Sequence, residues 1–276
     1  MVSQEQRRRQ LAREKFLRQQ QRRTSARRRT RTRNAVIAAV VGVVVAGGAT
    51  AYATGAFESD GKKANAGAEA TPSATPTSKA PDPCEKPAEG KVKQLTWKKE
   101  PALTIDKSAA YTMKLATTCG DIDMALKTSA APHTVNSFAF LAGKGYFDHT
   151  KCHRLTTESI YVLQCGDPTA QGNGGPGYTL PDENLKDKSL KNNVYPAGTI
   201  AMANTGQAHT GGSQFFLVYR NSQLPPNYTP FGTVSDAGMK VLKKIAAAGS
   251  QAPDPQTGNT APNATVVIDK ATVTKS

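Results

Sequence analysis

Cys152-His153-Arg154 is followed, after a short gap, by Tyr161-Val162-Leu163-Gln164-Cys165-Gly166-Asp167. Further on, Met202-Ala203-Asn204-Thr205-Gly206 runs to Gly212-Ser213-Gln214-Phe215-Phe216. These stretches decide how the chain reads. They place one fixed cation, two side-chain amides and a set of apolar and aromatic residues on neighbouring extended segments. They contain no obvious nucleophile, general base or metal cluster. Such a combination suits a reaction in which no covalent bond is made or broken.

Working outward, Tyr111-Thr112-Met113-Lys114-Leu115 alternates apolar and polar residues, as a half-buried strand does. Cys119-Gly120 turns the chain into a second alternating run, Ile122 to Leu126. Pro132 suits a first helical turn, and Val135, Phe138, Ala139 and Ala142 follow at helical spacing, with a stop at Gly143 or Gly145. Short extended runs are expected at 151–155, 160–165, 198–203 and 214–219. A second helix is expected over Met239 to Ala248 and a last strand over Val266 to Val273. Many short strands with two helices point to a closed antiparallel barrel.

In order and residue type these stretches resemble the cyclophilin family of peptidyl-prolyl cis/trans isomerases (rotamases), in a membrane-anchored, actinobacterial-like form. The resemblance runs from about Ala109 to Val273. It implies a mainly β fold, a closed eight-stranded antiparallel barrel capped by two helices, isomerising X-Pro bonds without cofactor or metal. By this resemblance Arg154 is the catalytic arginine and Gln164 orients it. Tyr161, Val162, Phe216 and Leu224 align with the apolar proline pocket. Asn204, between Ala203 and Thr205, aligns with the residue whose backbone grips the substrate chain, and Gln214 with a second peptide-contacting amide. Two positions depart from the family pattern. Tyr228 stands at the pocket edge where a histidine is usual, and Gln223 stands where many members carry a tryptophan. The missing indole implies weak binding of cyclosporin, the family's cyclic-peptide inhibitor. A noncatalytic proline-peptide-binding module or chaperone is the alternative reading, and Tyr228 favours it.

Other letter matches carry less. Gly172-Asn173-Gly174-Gly175-Pro176-Gly177 matches G-x-G-x-x-G but opens no expected helix, and Pro176 breaks the geometry a dinucleotide loop needs. His149, Cys152 and His153 have metal-like spacing, yet neighbours on a strand point to opposite faces. Cys84, Cys119, Cys152 and Cys165 are the only cysteines, and three pairings are possible. Cys152 and Cys165 flank an expected hairpin, which favours Cys152–Cys165 with Cys84–Cys119 over free thiols.

The net charge of +15 suggests nucleic acid until it is located. Residues 1–33 hold 13 of the 36 basic side chains and only Glu5 and Glu14, while the remainder holds 23 basic and 19 acidic groups. The basicity is that of a tail, 1–33, and specific nucleic-acid binding is not expected. The run AVIAAVVGVVVAGGATAYAT, 35–54, follows it with no charge. Twenty such residues rise about 30 Å, the thickness of a bilayer core. Basic flanks stay on the cytoplasmic side. The expected topology is thus a cytoplasmic tail, an anchor over 34–54 and an extracytoplasmic bulk, with anionic lipid near residues 7–33. A cleaved leader ending at Ala51-Tyr52-Ala53 is the competing reading. An extracytoplasmic linker over 55–107, low in complexity to about 91, precedes the domain at 108–276. Trp97 is expected to begin the packing of the linker onto the domain. An exported isomerase of this kind would assist folding of envelope proteins.

Overall fold

The computed structural model describes residues 81–275. The basic tail, the expected span over 34–54 and the linker up to residue 80 lie outside the described residues. Among the described residues, no helix is long and apolar enough to cross a membrane.

Two long strands start the domain: β1 (Tyr111–Thr117) and β2 (Gly120–Leu126), an antiparallel hairpin. Helix α1 (Pro132–Gly143) follows, then three short strands, β3 (Thr150–Lys151), β4 (Arg154–Leu155) and β5 (Val162–Cys165). Next come β6 (Val194–Tyr195), β7 (Thr199–Met202), β8 (Phe215–Val218), β9 (Ser222–Gln223) and β10 (Pro230–Val234). Helix α2 (Asp236–Ala247) and the strand β11 (Val267–Lys275) complete the chain. Nine of the strands form one sheet in the order β3-β11-β1-β2-β10-β7-β8-β5-β4, and β6 pairs with β9 separately. Mainly β with two helices agrees with the sequence reading. A closed eight-stranded barrel does not. The sheet has nine strands, and its edge strands β3 and β4 are not paired with each other. They are nevertheless separated by only Cys152 and His153, so the sheet must curl until its edges nearly meet. The segment leading into β11 spans the seam: Cys152 N donates to Val266 O at 3.0 Å and Leu155 N to Thr260 O at 2.7 Å.

The interior is aromatic at its centre. Phe138 of α1 packs against Phe231 at 4.6 Å, Phe147 at 5.3 Å and Phe215 at 5.5 Å between ring centroids. Helix α1 has Pro at its start but no side-chain cap from Ala131. The cap comes from elsewhere: the Glu183 carboxylate accepts from His133 N at 3.0 Å, Thr134 N at 2.9 Å and the Thr134 hydroxyl at 2.8 Å. Helix α2 begins three residues before the expected Met239, because the Ser235 hydroxyl caps it by accepting from Gly238 N at 3.1 Å.

The central strand β10 was not expected from sequence, since Pro230 and Gly232 normally interrupt strands. Pro230 stands first, where a missing N–H is tolerated, and the register slips between Pro230 and Gly232. A Cβ at Gly232 would come within 2.6 Å of Ile200 and 2.9 Å of the Ala125 carbonyl. Only glycine allows this approach.

Residues 81–107 carry no strand or helix but lie on the domain. Glu85 N donates to Thr118 O at 2.8 Å and Trp97 N to Pro176 O at 2.8 Å. The Trp97 indole meets Phe140 edge-on at 5.0 Å and Tyr146 at 6.0 Å. The two disulfides are Cys84–Cys119 and Cys152–Cys165, and no free cysteine remains. The first fastens this segment to the β1–β2 turn.

Candidate functional site

The side chains of β5, β7 and β8 alternate between two apolar clusters. Leu163, Cys165, Ile200, Met202, Phe215 and Leu217 point into the main core. Val162, Ala201, Phe216 and Val218 point to the other face, where Tyr195 and Leu224 join them. The site is built on this outer face. β4 and β5 pair Arg154 with Gln164, β5 and β8 pair Gln164 with Phe216, and β8 and β7 pair Phe216 with Ala201. The register thus sets the arginine, the amide and the aromatic ring in one row across three hydrogen-bonded pairs.

A relay of hydrogen bonds fixes the polar end of that row. Arg154 Nη1 donates to Gln164 Oε1 at 3.2 Å, Gln164 Nε2 to Gln214 Oε1 at 2.9 Å, and Gln214 Nε2 to Gly174 O at 2.9 Å. Each amide accepts from one neighbour and donates to the next, so both orientations are determined. Arg154 has no ion pair among the described residues, and its remaining N–H groups are left for another acceptor. The Cys152–Cys165 bridge brackets the pair, one cysteine two residues before Arg154 and the other directly after Gln164.

The relay ends on a loop that Asp167 organises. Its buried carboxylate accepts from Thr169 N at 2.7 Å, the Thr169 hydroxyl at 2.8 Å, Gly172 N at 2.6 Å and Gly174 N at 3.1 Å. Burial alone would raise its pKa, but these bonds outweigh burial and hold it below the usual carboxylate range. A Cβ at Gly174 would sit 2.0 Å from Asp167 Oδ1. The glycine-rich run therefore wraps a carboxylate of its own chain. Beside it, His153 is buried with neither ring nitrogen hydrogen-bonded. Burial lowers its pKa below 6.5, with Asp167 opposing and Arg154 assisting.

A cavity of about 220 Å³ opens next to Arg154. Of the residues expected in the site, Arg154, Val162, Gln164, Ala203, Asn204, Phe216, Leu224 and Tyr228 line it. Thr205 and Gln214 line an adjoining space of about 490 Å³, which shares Gln164, Gly172, Ala203 and Asn204 with the first. Tyr228 packs edge-on against Phe216 at 5.4 Å. Its backbone is gripped by Tyr195, whose hydroxyl donates to Tyr228 O at 2.8 Å and accepts from Tyr228 N at 3.2 Å. The β6–β9 pair supports Leu224, whose N–H donates to Asn193 O at 3.0 Å. Gln223 is exposed, its amide donating to Asn192 O at 3.2 Å.

Tyr161 is the exception. The structure does not put it in the cavity. Its ring lies under the Arg220 guanidinium, 3.5 Å from centroid to Cζ, with Tyr219 at 5.9 Å. Val162, the first residue of β5, faces outward and Tyr161 just before it turns away, while Ile160, in the preceding bend, lines the cavity instead. Sequence reasoning also missed Gly172, Asn259 and the supporting Tyr195. Alternation from Val162 could have identified Ile160. Nothing local marks the other three: Gly172 and Asn259 come from loops and Tyr195 from β6.

The chain is 50% identical over 149 residues to "Probable peptidyl-prolyl cis-trans isomerase B" of Mycobacterium leprae (strain TN), covering 51% of this chain and 50% of that one. The chain thus spans about half the length of that relative. It is 37% identical over 163 residues to "Peptidyl-prolyl cis-trans isomerase cypE" of Dictyostelium discoideum, covering 58% of this chain and 96% of that one. A solved structure of a Cryptosporidium parvum cyclophilin type peptidyl-prolyl cis-trans isomerase is 26% identical with a TM-score of 0.48, covering 60% of this chain and 99% of that one. The family description "Cyclophilin type peptidyl-prolyl cis-trans isomerase/CLD" matches residues 112–273. That match takes in more than half of the chain, all but the ends of the sheet between β1 and β11, and every residue that lines the cavity, and with it the chain belongs to the cyclophilin-type peptidyl-prolyl cis-trans isomerase family.

Proposed function

We propose that this chain is a peptidyl-prolyl cis/trans isomerase acting on X-Pro bonds of exported or cell-envelope polypeptides. The observation that carries the reading is a guanidinium without an ion pair among the described residues, fixed by Gln164, lining a cavity that it shares with Val162, Phe216, Leu224 and Tyr228. Rotation about an X-Pro bond must cross a barrier of about 18–20 kcal/mol, because amide resonance is lost on twisting. Catalysis then requires binding the twisted amide more tightly than either planar form. Ile160, Val162, Phe216, Leu224 and Tyr228 offer the proline ring an apolar seat. Arg154 donates to the prolyl amide as it twists, toward the carbonyl oxygen or the exposed nitrogen lone pair. Gln164 and Gln214 hold the guanidinium in place, so little reorganisation is needed during rotation.

The test is a cis/trans isomerisation assay on a proline tetrapeptide with the full chain in its oxidised form. Acceleration is expected. Peptide binding without acceleration would convert the reading to a noncatalytic binding module. In the same assay cyclosporin should inhibit weakly, because Gln223 presents an exposed amide where an indole would supply a large apolar contact. Tight inhibition would contradict that expectation.

Placement outside the cytoplasm is part of the proposal. It is supported by the pairing of all four cysteines in disulfides, which persist in oxidising compartments. An anchor over 34–54 and lipid contact through 7–33 complete it. A reporter active only outside the cytoplasm, fused after Ser276, should be active, and the same fusion within residues 1–30 should be silent. The reverse pattern would refute the topology.

A further inference from the structure

Between α2 and β11 the chain leaves the curled sheet as an arm. Its two sides pair like a hairpin: Asn263 N donates to Gly249 O at 2.9 Å, Gln251 N to Ala261 O at 2.7 Å, and Asp254 N to Asn259 O at 2.8 Å. The tip is closed by Asp254, whose carboxylate accepts from Gln256 N at 2.9 Å, Thr257 N at 2.7 Å and the Thr257 hydroxyl at 3.0 Å. Gly258 takes the left-handed φ of 72° that this turn requires.

The arm is docked on the site. Leu155, the neighbour of Arg154, gives its N–H to Thr260 O at 2.7 Å and accepts from the Thr260 hydroxyl at 2.6 Å. Asn259 Nδ2 donates to Gln171 O at 3.1 Å, which sets the amide over Gly172. A Cβ at Gly172 would meet that nitrogen at 2.9 Å. So placed, Asn259 lines the same cavity as Arg154, Val162, Phe216 and Leu224.

The other amides of the cavity are engaged at both ends. Gln164 stands in the relay. Asn204 Nδ2 donates to Asn227 O at 2.7 Å, and its Oδ1 accepts from Gly206 N at 2.9 Å. Among the described residues, Asn259 alone of the three lining amides has a carbonyl oxygen, Oδ1, without a hydrogen-bond partner. Proline carries no N–H, but the residues on either side of it do, and an N–H stripped of water needs an acceptor. We propose that Asn259 is a substrate-contacting, specificity-determining residue whose Oδ1 accepts the backbone N–H of a residue flanking the bound proline. The arm is the device that delivers it. This rests on the peptide-binding reading above.

The contact can be read apart from general damage to the arm. Three proline tetrapeptides are compared with the full-length oxidised protein: one unmodified, one N-methylated on the residue before proline, one N-methylated on the residue after it. Each methyl removes one flanking N–H. Asn259→Ala should lower kcat/KM on the unmodified peptide by about threefold to tenfold, the range of a single net hydrogen bond. On one of the two methylated peptides it should change nothing. Asn259→Asp keeps an acceptor and should retain the discrimination between those peptides that Asn259→Ala loses. An equal loss on all three peptides would make Asn259 merely structural and overturn the proposal, as would no loss on the unmodified one. If the unmodified protein accelerates no isomerisation, the functional reading fails. Calorimetric titration with the same three peptides then still tests the Asn259 contact.

Discussion

The two faces of β5, β7 and β8 are filled by alternate residues of the same short segments, yet they do different work. The inner face belongs to a continuous core sealed by α1 and α2. The outer face carries six buried residues, Val162, Tyr195, Ala201, Phe216, Val218 and Leu224, and stops at an open cavity. Polar groups are excluded from the centre of the inner face, whereas the outer cluster is edged by Arg154, Gln164 and Asn259. The difference teaches that alternation in a curled sheet does two jobs at once. One parity supplies stability. The other supplies a rigid apolar floor on which a cation can be aimed.

That division can be broken from the inside first. Phe138→Ala should cost about 3–5 kcal/mol of stability, through lost burial and the cavity left among Phe147, Phe215 and Phe231. Denaturant unfolding measures it. A cost below 1 kcal/mol would show that the inner face is not the stabilising one. The disulfide between the faces comes next. Cys152 and Cys165 sit in the inner core while their bridge brackets Arg154 and Gln164. Cys152→Ala should lose about 3 kcal/mol in the chain-entropy treatment of a loop this size. Activity below the melting transition should fall as well, because the arginine–glutamine pair loses its brace. Unchanged activity would separate the bridge from the site.

The outer face is tested by Arg154→Ala. It should reduce kcat/KM at least tenfold, about 1.4 kcal/mol of transition-state stabilisation, with the melting temperature nearly unchanged. Arg154→Lys should restore little, since a flexible point charge cannot reproduce the planar fork. Full turnover in Arg154→Ala would remove the catalytic role. The smallest effect concerns acid. The folded pKa of His153 lies below its unfolded 6.5, so the unfolded chain takes up the proton first. Stability should be unaffected above pH 6.5 and decline as the pH falls below it, toward the folded pKa. His153→Gln should flatten that slope between pH 7 and 5 in melting experiments. A slope identical to that of the unmodified protein would exclude His153 as its source.

Much of this division was legible in the sequence, because it is local. The alternation of Tyr111 to Leu115, the helical spacing from Pro132 and the hairpin flanked by Cys152 and Cys165 are all read from neighbours, while the role of Arg154 with Gln164 came from the family resemblance. What the sequence hid is reciprocal. Pro230–Val234 pairs closely between β2 and β7 because Gly232 has no Cβ to meet Ile200 and Ala125. The cap of α1 comes from Glu183, some fifty residues away. Asn259 reaches the cavity on an arm with no apolar pattern of its own. Tyr161 is a different failure. Its placement beside Val162 in one pocket already contradicted the period of a strand, and the family resemblance overrode a rule that the residues themselves obeyed.

The Cys84–Cys119 bridge has a mechanical meaning. A pull on the chain ahead of Cys84 does not peel the Trp97 segment from the domain. Force passes through the sulfurs to the turn between β1 and β2, two interior strands of the sheet. The 35 residues of separation are shorted out of the load path. Reduction would leave only the segment between Cys84 and β1 in the load path, 26 residues or roughly 90 Å at full extension. In the oxidised state a load applied ahead of Cys84 thus reaches the curled sheet through its longest hairpin rather than through its outermost loop.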